Sequence, residues 1–257
     1  MTVPFENDTG NIVRKLARKS LKSEKRRNLM VVIAVALASC LICFSIVMAL
    51  STRQIEKNHV EDTYEAVYTR ITEEDVSTLK GLDDFSRVGE YYMLAVEPAK
   101  QGYNASYIYC DEETMYIARD QMKLLEGRLP QKEDEVAVSR YFLSNHGADA
   151  GIGEKVMLNS ESFHGEYTVT GILEGYKEKE VNGSSILLSK EALKGWSGYD
   201  PADYRAYVHF KNEQQMDETE LTARSREIAK EYQLEMPIMN LSYMKCYKQP
   251  VNVSMLA

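Results

Sequence analysis

The side chains here that could do chemistry are four histidines, four cysteines and a few acidic runs. His59, His146, His164 and His209 are dispersed, and no His-Glu-x-x-His zinc pair occurs. Cys40 and Cys43 have redox spacing, but they sit inside an apolar run without an aqueous partner and read as packing residues. Cys110 and Cys246 offer a single possible bridge, which is no disulfide framework, and both are expected to be free thiols. Asp111-Glu112-Glu113 and Glu133-Asp134-Glu135 could hold a cation weakly, yet solvated turn acids explain them. Gly151-Ile152-Gly153-Glu154-Lys155 resembles a phosphate loop without the G-x-x-x-x-G-K-[ST] spacing, and no G-x-S-x-G elbow occurs. The expectation is no enzyme, and no catalytic, metal-binding or cofactor-binding residue. Tyr91, Tyr92, Tyr103, Tyr107 and Tyr109 could form a recognition surface, because tyrosine anchors interfaces; strand burial explains them equally well.

These groups are carried by a chain with one sharp transition. Leu29 to Leu50 is an uncharged apolar run, about 33 Å long as a helix and enough to cross a hydrocarbon core of about 30 Å. It has no polar face, so a soluble core helix is a poor reading. A cleaved signal peptide has a shorter apolar region and a shorter lead. Leu37-Ala38-Ser39-Cys40 resembles a lipobox, but the chain after Cys40 stays apolar, unlike a processed lipoprotein. Eight Lys and Arg between Arg14 and Arg27 oppose Glu6, Asp8 and Glu24, giving that flank +5 and leaving −13 for the remainder of a chain that totals −8. Cations beside a span stay in the cytoplasm, so the N-terminus is expected inside and residues 51–257 outside. An acidic external portion excludes nucleic acid as a partner. Residues 10–28 place Ile12, Val13, Leu16, Ala17 and Leu21 on one helical face, the pattern of an interfacial helix on membrane lipids.

Three segments follow: 1–28 basic and amphipathic, 29–50 transmembrane, and 51–257 an external domain with stalk ends. A stalk helix through Val60 is expected to lead into a strand over about Tyr64–Ile71. Thr72 with Asp75 predicts a capped helix. Val88–Val96 and Ala105–Cys110 read as strands, with Gln101-Gly102-Tyr103-Asn104 a turn between them. Met115, Ala118, Met122 and Leu125 allow a helix across 111–126. Strands are expected at Glu135–Val138, Lys155–Leu158, Tyr167–Leu173, Ser185–Leu188 and Arg205–Lys211. Helices are expected after Ser139 (closed by Gly147) and after Ser189, and over Asp217–Tyr232. Irregular alternation of short strands and helices indicates an α+β domain with a mixed, mainly antiparallel sheet.

Gly127-Arg128-Leu129-Pro130, Asp134-Glu135-Val136-Ala137-Val138-Ser139, Gly151-Ile152-Gly153-Glu154-Lys155-Val156 and Tyr167-Thr168-Val169-Thr170-Gly171-Ile172 form an ordered set. This set resembles the extracellular core domain of FtsX-like ABC transporter permeases, the MacB-like periplasmic core. The basic amphipathic segment, first span and large external insertion come in the family's order. The resemblance implies a bacterial cell-membrane subunit that relays the motion of a cytoplasmic ABC ATPase to an external domain, for export or release of peptides, lipids or lipoproteins. Such permeases have three further spans after the ectodomain, whereas this sequence stops at Ala257, after a segment that looks like a descending stalk. The expectation is an N-terminal part: a fragment, the product of a broken reading frame, or one half completed by a second permease chain that supplies the remaining spans. The rival reading is a single-pass anchored sensor or scaffold that binds a peptide or protein ligand outside the cell.

Overall fold

The computed structural model describes residues 10–23, 25–98, 103–146, 150–175, 178 and 182–248. Gln101, Gly102, Gly147 and the side chains of Leu21 and His146 lie outside the described set. The described residues divide into two units, one up to Ile55 and one from Glu56 to Lys248.

In the first unit, α1 spans Gly10–Ser23 and shows Ile12, Val13 and Leu16 to the exterior. Helix α2 spans Lys25–His59, so the apolar run and the stalk are one uninterrupted helix. No residue of α2 is buried by protein, and by length and composition it can cross a membrane. Ser39 and Ser45 return their hydroxyls to the carbonyls of Val35 and Leu41, which satisfies them within the helix.

In the second unit, ten strands form one sheet: β1 (Ala66–Ile71), β2 (Phe85–Pro98), β3 (Asn104–Cys110), β4 (Met122–Gly127), β5 (Glu135–Ser139), β6 (Lys155–Asn159), β7 (His164–Gly175), β8 (Gly183–Leu188), β9 (Tyr204–Phe210) and β10 (Ile238–Met239). Their order is β10-β1-β9-β2-β3-β8-β5-β7-β4, with β6 also on β7. The β3–β8 and β5–β7 pairs are parallel and the others antiparallel, as expected of a mixed α+β domain.

One sheet face carries the main core, under α3 (Glu73–Lys80), α5 (Arg140–His146), α6 (Lys190–Gly195) and α7 (Glu218–Glu231). Local chemistry starts these helices. Thr72 and Asp75 close a capping box on α3, and Asp217 with Glu220 closes another on α7. The hydroxyls of Ser139 and Ser189 accept the Phe142 and Ala192 N–H groups at 3.0 and 3.1 Å. Lys190 Nζ then ties two helices to the sheet, at 2.7 Å from Glu73 on α3 and 2.6 Å from Glu90 on β2.

The opposite face is covered thinly, by α4 (Glu112–Ile117) and the chain that follows it. Of the helix that the spacing allows across 111–126, only the first part forms. Asp111 caps α4, the Ala118 N–H closes it on the Thr114 carbonyl, and Met122 to Gly127 leave as β4 along β7. A continued helix would have left the β7 edge unpaired. Gly89 lets α4 approach: a Cβ there would lie 2.4 Å from Thr114 Oγ1. The outer border is laced by charge, with Lys123–Glu174 at 3.2 Å and Arg140–Glu126 at 2.5 Å.

The ordered motif begins with a clamp. Gly127 has φ +82°, and a Cβ would come within 2.2 Å of the Thr170 carbonyl oxygen. The Arg128 guanidinium donates two bonds of 2.7 Å to Glu135, which also accepts the Gln131 and Lys132 N–H groups at 2.9 and 3.3 Å. Glu135 is therefore buried in a clamp, a correction to its reading as a solvated turn acid; Glu133 and Asp134 are exposed. The Arg128 bonds hold the Glu135 carboxyl down at about 2.

Two outcomes test this clamp on the detergent-solubilised chain. Gly127→Ala should lose about 1–2 kcal/mol from the left-handed conformation alone, read by denaturant unfolding. Because the folded-state value of Glu135 is depressed, its stabilisation is present above the ordinary carboxylate range and lost as pH falls toward about 2. Glu135→Gln should lower the melting temperature at pH 7 and lose that difference near pH 2.

Candidate functional site

The second unit is entered and left at neighbouring points. The ingoing chain stops being helical after His59, where Thr63 Oγ1 donates to the Val60 carbonyl at 2.8 Å. The outgoing chain arrives as β10, antiparallel to β1, with Ala66 facing Met239. Asn240 then ties the two together. Its N–H donates to the Glu65 carbonyl at 2.8 Å, its Nδ2 to the Tyr64 carbonyl at 2.9 Å, and its Oδ1 accepts the Tyr243 N–H to start α8 (Leu241–Tyr243). Beyond it, Tyr247 stacks on Tyr243 and donates to the Lys57 carbonyl at 3.3 Å, with Lys57 Nζ 4.9 Å from its ring centroid.

Glu65 is the node of this junction. Its side chain is fully buried. Oε1 lies 2.7 Å from His209 Nδ1, and Oε2 accepts the Phe210 N–H at 2.8 Å. Its own N–H donates to the Val208 carbonyl at 3.0 Å. One residue thus joins the ingoing chain, β9 and the outgoing chain. Burial pushes the Glu65 carboxyl up, offset in part by the His209 and Phe210 hydrogen bonds. Burial draws the His209 imidazole down, but the adjacent carboxylate prevails and the net shift is upward.

A second grip comes from the turn after α4. The Tyr64 N–H donates to the Ile117 carbonyl at 3.0 Å, His59 Nε2 lies 2.9 Å from the Asp120 carbonyl, Arg119 donates to the Glu61 carbonyl, and Gln121 donates to the Tyr64 hydroxyl. Asp120 Oδ1 is buried with no hydrogen-bond partner, and burial pushes its carboxyl up to about 6. What this arrangement can do is mechanical: a displacement of either chain end reaches β1 and β9 at once. Among the described residues, no group of three or more His, Cys, Asp or Glu could hold a metal ion.

The residues singled out in the sequence are dispersed by the fold. Tyr92, Tyr103 and Tyr107 belong to the main core, Tyr109 packs against it, and Tyr91 lies on the other face, so they form no common surface. His164 is exposed at the start of β7, while His59 and His209 both serve the junction. Asp111 caps α4 and Glu113 pairs with Arg87 at 2.9 Å. Cys40, Cys43 and Cys110 are free thiols. Glu65, Asp120 and Asn240 were missed, because isolated polar residues carry no spacing signal; a lone Glu ahead of an apolar strand was the available hint.

Solved structures of related architecture exist at low identity. The extracellular domain of the ABC-type transporter YknZ from Gram-positive bacteria is similar at 15% identity and a TM-score of 0.48, covering 69% of this chain and 100% of that one. The periplasmic region of MacB from Actinobacillus actinomycetemcomitans is similar at 12% identity and a TM-score of 0.46, covering 72% and 91%. No curated protein matches the chain. The family model of the MacB-like periplasmic core domain matches residues 29–226. The chain belongs to that family and is a membrane-anchored protein with an ectodomain like that of FtsX/MacB-type ABC transporter permeases.

Proposed function

We propose that this chain is the N-terminal part of the membrane subunit of an ABC transporter permease, without enzymatic activity of its own. In this reading a cytoplasmic ABC ATPase drives the membrane segment. The N-terminus is cytoplasmic, residues 51–257 are external, and α1 rests on anionic lipid of the inner leaflet. The external domain receives the motion and uses it to export or release peptides, lipids or lipoproteins. The observation that carries this reading is the Glu65 junction, which holds the ingoing segment on β9 and the outgoing segment on the ingoing one and on β1. A ligand sensor needs a binding surface but no such two-ended attachment.

Orientation is tested by labelling intact cells with a membrane-impermeant maleimide, in a Cys246→Ser background. Glu154→Cys should be labelled and Lys19→Cys protected; the reverse pattern would overturn the topology. Partnership is tested by co-expression with a cognate ABC ATPase and with a permease chain that carries three further spans. The three should co-purify in detergent, and a chain that never retains either partner refutes the assignment.

The junction itself makes a pH prediction. Since the folded-state value of His209 is raised, its contribution is complete below the ordinary histidine range and is lost as pH rises through the raised value. His209→Gln should remove that alkaline loss. At pH 6 it should lower stability by about 3–5 kcal/mol, because Glu65 is left buried without its charged partner.

A further inference from the structure

The turn after α4, residues 118–121, is not fully packed onto the sheet. A cavity of about 70 Å³ lies there, lined by Met115, Ala118, Gln121 and Met122 from α4 and the chain after it, and by Tyr91 and Tyr207 from the sheet. Hydrogen bonds hold this part of the chain on the ingoing segment. The Ile117 carbonyl accepts the Tyr64 N–H at 3.0 Å, the Asp120 carbonyl accepts His59 Nε2 at 2.9 Å, and Arg119 donates to the Glu61 carbonyl. The segment so held is bent at Asp62, whose φ of +50° is a left-handed conformation that an L-residue resists. The bend therefore depends on the grip around it.

Inside the grip sits a carboxyl group. Asp120 is 8% exposed, and its Oδ1 has no hydrogen-bond partner among the described residues. Four titratable or charged groups act on it. His59 faces it from the end of α2, Arg119 from its own turn, Tyr64 from the ingoing segment and Tyr207 from β9. Arg119 is shared, lying 3.8 Å from the Asp62 carboxylate and 5.0 Å from the Tyr116 ring centroid. Burial opposes the carboxylate form of Asp120 and outweighs the help of His59 and Arg119, which is why the group is pushed up to about 6.

The two forms of Asp120 load the turn differently. Ionised, it is a buried anion with one oxygen unmet, and opening the turn to water relieves that cost. Neutral, it gains an O–H donor and sheds the charge penalty. The cost falls on the same turn that holds His59, Glu61 and Tyr64, and the cavity beside it leaves room for movement. We propose that the 118–121 turn is a proton-controlled latch on the ingoing segment, closed when Asp120 is neutral and loosened when Asp120 ionises. The sign is opposite to that of a paired carboxylate. With the folded-state value raised, the stabilisation is complete below the ordinary carboxylate range and is lost as pH rises through about 6. The latch needs no ATPase and operates in the chain by itself.

Amide hydrogen exchange, read by mass spectrometry on the full chain in detergent and corrected for intrinsic rates, tests the latch at pH 5 and pH 7.5. Protection across residues 57–64 should fall by about tenfold between the two, the ratio set by the proton's preference for the closed form. The His209 pair also weakens as pH rises, so the wild type is compared with Asp120→Asn, which keeps His209 and is neutral at both pH values. That variant should hold its pH 5 protection at pH 7.5. If it fails to fold, Asp120→Ala serves instead and should likewise lose the pH dependence, whatever its absolute level. Wild-type protection that is equal at both pH values, or a drop across 57–64 that persists in the neutral variant, overturns the latch.

Discussion

A carboxylate with no exposed surface cannot be left alone in a protein interior, and Glu65 shows how a fold exploits that demand. Its oxygens require His209 and the Phe210 N–H, which fixes the end of β9. Its backbone requires Val208 and Asn240, which fixes where the chain comes in and where it goes out. No substitute from solvent reaches the site. The arrangement is satisfied only when all three segments are in place, so the junction behaves as one cooperative unit. A shared buried charge thus makes the ingoing and outgoing segments depend on each other.

The ordered glycine and acid motif serves a different purpose. Gly127, Arg128 and Glu135 shape the turn that carries the chain from β4 to β5, and the close pass of Gly127 against Thr170 sets the depth of that turn on β7. The motif by which the family is recognised therefore marks scaffold geometry. The residues that grip the chain ends lie outside it, at 57–65, 117–121 and 238–247.

What could be read in the sequence was what local chemistry decides. The Thr72 box and the Ser139 and Ser189 caps stand where expected, because a cap needs only residues three apart, and the helix expected from Asp217 is there. The long apolar helix was legible for the same reason. The segment after Asp111 was not: Met122 and Leu125 fit a helical face, and only the distant β7 edge makes them a strand. Glu135 looked like its exposed neighbours until Arg128 was folded onto it. The partnership of Glu65 with His209 spans 144 positions in sequence, and no pattern within a window could reveal it.

The outer border of the sheet also bears on how many such molecules can share a membrane. β4 presents unpaired backbone groups along its free side, a template onto which a neighbour's strand could add. Lys123 and Glu126 put opposite charges on this border strand, each held in an ion pair. A second strand would have to strip these charges of water to dock. That desolvation cost works against the edge-to-edge growth that a bare border would invite.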